Sequence, residues 1–253
     1  MSLQTTTNDH VLYWKLANLR LEKPAISMSS QGVLYFYKTP ESGHEYVVKL
    51  RPSAETLNLE REISFLDAAG ELSVDVVSRI YNPRDILVGF GMPRPYPIDA
   101  AKLTHEQKYN IFNQIRYILP KLHNHGIIHG DIKLSNMLPD TCGIVKLCDF
   151  GTSAWMDEVY YPTAISAKWC SPYILDSAKQ HRLVPEQDIY ASGITVWELF
   201  TGERPFRDID LDDDEEDLDG QIRGGLCVDL ERIEDPEIRK YIADYLEVMR
   251  KFE

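Results

Sequence analysis

Two stretches, HGDIKLSNML from His129 to Leu138 and KLCDFGTS from Lys146 to Ser153, hold the residues of this chain best suited to chemistry. Asp131 and Asn136 stand five apart in one expected loop, and Asp149 follows a short strand-like run. One loop and one strand end could therefore bring three oxygen-bearing side chains to a common point. Hard Mg2+ prefers such ligands. Phosphoryl transfer asks little covalent chemistry of a protein: a hydroxyl must be positioned, metal ions bridging the phosphates must be held, and developing charge must be offset. The same polar residues could merely cap turns, but then several matches at fixed spacing would have to coincide.

The elements that must position these residues are legible from periodicity. GVLYFYK (Gly32 to Lys38) and EYVVKL (Glu45 to Leu50) are rich in β-branched and aromatic residues and flank the turn TPESGH, which reads as a hairpin. Leu59, Ile63 and Leu66 at helical spacing predict a helix over 53–69 closed by Gly70, and SVDVVSRIY and DILVGF follow as strand candidates. After MPRPYP (Met92 to Pro97) the pattern turns helical. Thr104 and Gln107 stand at capping-box spacing before Tyr109, Phe112, Ile115, Leu119 and Leu122, with Gly126 as the stop. Pro120 predicts a kink near Arg116, because proline removes a helical hydrogen bond and crowds the preceding turn. A second helix opens at Pro185 and runs to Gly202, apolar nearly all round and so expected to be buried. The expectation is an α+β, bilobal chain: a strand-rich lobe over 1–91, a helical lobe over 92–253, and a cleft between them.

Composition narrows the function classes. A net charge of −13 disfavours nucleic acid as a partner, since that binding needs clustered cations. No run approaches the roughly 20 apolar residues of a membrane span, and MSLQTTTNDH lacks the pattern of a secretory signal, so a cytoplasmic location is expected, with the nucleus as an alternative. Cys142, Cys148, Cys170 and Cys227 show no C-x-x-C pairing, which argues for reduced thiols and no structural metal. Nine carboxylates crowd 208–219; a solvated loop is the ordinary reading and a docking surface for basic peptides the sharper one. An EF-hand loop fails there, because Glu215 stands where its glycine is needed. Nothing in the residues signals an oligomeric state.

The pattern H-x-D-x-K-x-x-N followed by D-F-G resembles the catalytic loop and DFG motif of eukaryotic protein kinases. By that resemblance Asp131 would accept or orient the proton of a substrate hydroxyl, Lys133 would steady the γ-phosphate of ATP, and Asn136 and Asp149 would hold Mg2+. Lys49 resembles the strand lysine that pairs the α- and β-phosphates. Glu62 resembles its helical partner, with Glu60 as competitor. Gly32, Leu34, Val47 and Met92 would line the nucleotide site. Phe150 and His129 would stack, and Asp188 in DIYASG would support the catalytic loop. Lys133 and Ser166 point to serine/threonine specificity and a protein substrate. Tyr160, Tyr161, Thr163 and Ser166 are hydroxyls of the activation segment.

Four departures stand against the family pattern. The phosphate-covering loop reads S-M-S-S-Q-G from Ser27 to Gly32, keeping only the last glycine, which predicts a weaker grip on ATP. Gly130 replaces the arginine that usually receives an activation-segment phosphate. Ser171, Pro172 and Tyr173 stand in place of A-P-E, and the missing glutamate implies loss of its arginine partner and of the final helices. Met92 at the adenine-contacting position would make Gly89 the gatekeeper, with Phe90 as the alternative, and Pro93 and Pro95 narrow the adenine donors. Two other functions remain open: a nucleotide-sensing pseudokinase scaffold, and a small-molecule phosphotransferase of the aminoglycoside or choline kinase kind.

Overall fold

The structure is a computed structural model that describes residues 12–29, 32–40, 42–51, 56–94, 96–162, 165–176, 181–207 and 215–249. The chain divides into two compact units, 1–95 and 96–253. This boundary lies beyond the expected 91/92. The last strand of the first unit runs on to Pro93, and Arg94 stays tied to that unit through its amide to the Glu45 oxygen (3.1 Å) and its guanidinium to the Glu45 carboxylate (3.0 Å).

Unit 1 is built on a six-stranded sheet. Its strands are β1 (Leu12–Lys15), β2 (Ser27–Ser29), β3 (Gly32–Lys38), β4 (Glu45–Leu50), β5 (Ser78–Tyr81) and β6 (Leu87–Pro93), in spatial order β1-β5-β6-β4-β3-β2. The predicted β3–β4 hairpin is present, antiparallel and in register from Val33↔Leu50 to Lys38↔Glu45. Strand β1, absent from the sequence expectations, pairs in parallel with β5. Its Trp14 packs edge-on against Tyr37 and Tyr46 over a core of Val48, Ile80 and Val88. Glycine at 91 leaves room for that ring, because a Cβ there would meet Trp14 Cζ3 at 2.9 Å. Helix α1 (Thr56–Ala69) buries Leu59, Ile63 and Leu66 as expected and stops before Gly70, whose φ of +55° suits a helix end. The Ser73 hydroxyl then donates to the freed Leu66 carbonyl (2.8 Å).

Unit 2 is mainly helical: α2 (His105–Asn124), α3 (Pro172–Leu175), α4 (Pro185–Thr201), α5 (Glu215–Arg223) and α6 (Pro236–Glu247), with the short pairs β7 (Ile127–Ile128) with β10 (Ala154–Trp155) and β8 (Met137–Pro139) with β9 (Val145–Leu147). The Thr104/Gln107 capping box forms, and α2 continues through Pro120 as one helix. Helix α4 starts at Pro185, ends at the left-handed Gly202 and buries most of its length, including Ile194, Val196 and Leu199. No described helix is long and apolar enough to cross a membrane.

Candidate active site

In unit 1 the strand register decides which side chains share a face. Leu34 opposes Lys49, Lys49 opposes Phe90, and Val47 opposes Met92. Directly opposed residues project to the same side of a sheet, so Leu34, Val47, Lys49, Phe90 and Met92 form one face. Gly89 opposes Leu50 and belongs to the other face, where a Cβ would run into the Lys49 carbonyl and the Leu50 side chain. Of the two gatekeeper candidates, only Phe90 opposes Lys49 and shares its face of the sheet. Gly32 begins β3 with φ +130°, a conformation that favours glycine; Ser30 and Gln31 of the phosphate-covering loop lie outside the described residues.

Lys49 Nζ donates to Glu62 Oε1 at 2.6 Å, and Glu62 is fully buried. Glu60, the competing acid, is exposed. The sequence reading missed Arg51, whose Nη2 takes the second carboxylate oxygen, Oε2, at 3.2 Å.

In unit 2 the stretch from His129 to Leu138 is hung from α4. Asp188, buried in the first turn of that helix, accepts the Gly130 amide on Oδ1 and the His129 amide on Oδ2, each at 2.8 Å, and its Oδ2 lies 3.0 Å from His123 Nε2. A carboxylate at this end of a helix is also favoured by the helix dipole. Gly130 has φ +80°, and a Cβ on it would stand 2.7 Å from the Thr152 carbonyl oxygen. The local fold therefore has no space for an arginine at 130.

His129 accepts the Asp131 amide on Nδ1 (3.3 Å), which leaves Nε2 as the donor to the Cys148 carbonyl (3.0 Å). Its ring lies 4.6 Å from that of Phe150. Cys148 in turn donates its amide to the Asn136 carbonyl (3.0 Å), extending the β8–β9 ladder. Asn136 and Asp149 thus flank the same end of one hairpin. Asp149 takes up the left-handed conformation, φ 62° and ψ 63°, at the start of a short 3-10 turn.

The Asp131 carboxylate is held on one side. Its Oδ2 accepts from Lys133 Nζ (2.7 Å) and from Asn136 Nδ2 (2.9 Å), and Asn136 Nδ2 also donates to the Asp131 backbone oxygen (2.9 Å). Lys133 Nζ reaches Ser166 Oγ as well, at 2.7 Å, tying the activation segment to the loop. With both amide hydrogens of Asn136 spent on Asp131, its Oδ1 is the atom left to ligate. Together with the Asp149 carboxylate this is a sparse, all-oxygen donor set. It fits Mg2+, which keeps waters and substrate oxygens in its shell. Among the described residues no group of three His, Cys, Asp or Glu side chains forms a metal cluster.

The end of the activation segment is held by Gln187, another residue that the sequence reading missed. Its Oε1 accepts the Ser171 hydroxyl (2.7 Å) and amide (3.1 Å), and its Nε2 donates to the Trp169 carbonyl (3.1 Å). A neutral amide does this work, while Tyr173 packs its ring 4.1 Å from His181. Helix α4 also carries Glu198, whose carboxyl is pushed up to about 7, chiefly by burial, with Arg204 as the main opposing influence.

Known proteins share sequence with this chain. The model of the protein kinase domain matches residues 92–251. Mitogen-activated protein kinase kinase kinase 1b of Physcomitrium patens is 34% identical over 115 residues, covering 42% of this chain and 15% of that protein. Serine/threonine protein kinase OSK3 of Oryza sativa subsp. indica is 28% identical over 199 residues, 73% of this chain and 38% of the relative. The probable serine/threonine-protein kinase PknB of Lactococcus lactis is 34% identical over 115 residues, 45% of this chain and 18% of the relative. The chain spans well under half the length of each of these relatives. With more than half of its residues matched, and the matched part containing the loop built around Asp131, the chain belongs to the protein kinase domain family.

Proposed function

We propose that this protein transfers the γ-phosphoryl group of ATP to serine or threonine hydroxyls of a protein substrate. The observation that carries the reading is the one-sided bracing of Asp131. Oδ2 is engaged by Lys133 and Asn136, which leaves Oδ1 without a hydrogen bond among the described residues and able to accept the proton of an incoming hydroxyl. Lys133 adds positive charge beside Oδ2 and, through Ser166, aligns the segment on which a substrate would rest. Asn136 Oδ1 and Asp149 would hold Mg2+, which supplies charge neutralisation across the phosphates. Lys49, kept in place by Glu62, would meet the α- and β-phosphates, with Leu34, Val47 and Met92 against the base.

Transfer of radiolabelled phosphate from ATP with Mg2+ to a generic basic protein tests this reading, with Asp131→Asn as control. Equal labelling by wild type and control would end it. The glycine-poor loop before Gly32 favours one second reading, a nucleotide-sensing scaffold. That reading gains if Mg2+-ATP raises the melting temperature while no label moves.

A further inference from the structure

Glu62 is shared by two buried cations, and only one of them has a place in the reading above. Arg51 is 7% exposed, Lys49 5% and Glu62 0%. Arg51 is fixed to the sheet by its own backbone, since its amide donates to the Val88 carbonyl at 2.9 Å. It follows Lys49 by two residues and so projects to the same face of β4. Continuing the Val33↔Leu50 register sets it opposite Gly32, and a Cβ on Gly32 would come within 3.1 Å of Arg51 Cγ. The one glycine kept in the phosphate-covering loop is thus the residue packed on this arginine.

We propose that Arg51 is a positioning residue that holds Glu62, and with it helix α1, against Lys49. A buried carboxylate is stable only where its charge and its lone pairs are met. Lys49 Nζ meets one oxygen of Glu62, but the same ammonium must turn other donors towards phosphate oxygens when nucleotide is bound. Arg51 meets the second oxygen from a rigid position on the sheet, so Glu62 keeps its place while Lys49 is shared. The Lys49–Glu62 pairing is then a property of unit 1 by itself. It needs no phosphate on the activation segment, in keeping with the absence of room for an arginine at 130. This inference rests on the phosphotransfer reading for its kinetic consequences but not for its structural ones.

The test uses the full chain as wild type, Arg51→Met, Arg51→Lys, Glu62→Gln and the double variant Arg51→Met/Glu62→Gln. Arg51→Met is expected to lower kcat/KM for ATP on the order of 10²-fold, the scale of a misplaced catalytic group, and Arg51→Lys to recover most of the loss. In the Glu62→Gln background, Arg51→Met should change kcat/KM by no more than about threefold, because both substitutions break one linkage. Hydrogen exchange over 56–69 should quicken in Arg51→Met while the strands stay protected. If Arg51→Met does not fold, Arg51→Gln, which stays polar but loses the charge and the reach to Oε2, takes its place. Multiplicative losses in the double variant, or unchanged exchange over α1 in a folded Arg51→Met or Arg51→Gln chain, would overturn the proposal. A wild type that moves no label would defeat the phosphotransfer reading alone, since the exchange measurement needs no nucleotide.

Discussion

Asn136 gives both hydrogens of its side-chain amide to Asp131, one to the backbone oxygen and one to Oδ2, each at 2.9 Å. A single residue thereby braces the expected base and turns its own oxygen outward. Asn136→Ala should therefore do two kinds of damage. Activity is expected to fall by about 10²-fold or more, the range for loss of a positioned proton acceptor, and the Mg2+ concentration for half-maximal rate should rise. Asp131→Asn should lower the rate without moving that Mg2+ midpoint. Mg2+ titrations of the two variants check the difference.

Asp188 accepts two buried backbone amides, those of His129 and Gly130. Asp188→Ala would orphan both, at about 1–3 kcal/mol for each amide left without an acceptor. The expected result is a lower denaturation midpoint and loss of transfer together. Asp188→Asn, able to accept only one of the two amides on its single carbonyl oxygen, should fall between wild type and Asp188→Ala. A variant with full stability would contradict the assigned linkage.

Gly130 should not tolerate a side chain. Gly130→Ala places a Cβ 2.7 Å from the Thr152 oxygen at a φ of +80°, and such strain costs about 1–3 kcal/mol. Gly130→Arg should fold no better and should not make turnover depend on phosphorylation. In wild type, phosphatase treatment is expected to leave the rate of transfer unchanged; a fall to background would show that the activation segment needs its phosphate.

Glu198 supplies a pH signature. Its ordinary pKa of 4.5 rises to about 7 in the folded chain because burial disfavours the charged form. Between those values the folded state holds a proton that the unfolded state has released, so the stability owed to this group falls as pH rises through the window. Glu198→Gln should accordingly raise stability at pH 8 by up to about 3 kcal/mol, at about 1.4 kcal/mol per pKa unit. At pH 5 the gain should largely disappear. Melting temperatures at the two values decide it.

What could be read without coordinates was whatever depends on neighbours in the chain. The Thr104/Gln107 capping box, the Pro185 start and Gly202 stop of α4, and the β3–β4 hairpin all rest on contacts within one turn or one hairpin, and each appears where spacing placed it. The motif around Asp131 is legible for the same reason, since Lys133 and Asn136 reach it from two and five residues away. Glu62 could be preferred over Glu60 but not paired with two cations.

The remaining features join distant parts of the chain, and nothing local announces them. Trp14 lies beside Gly91 only because β1 pairs in parallel with β5, a choice set by which surface it can bury. Arg51 meets Glu62 across a strand and a helix, and Gln187 meets Ser171 across the end of the activation segment. That a side chain at 130 would meet the Thr152 carbonyl is seen only when the two are brought together. Spacing along a chain specifies which groups can cooperate within a turn or a hairpin. Burial, which excludes water and forces every polar group to find a partner, selects the long-range ones.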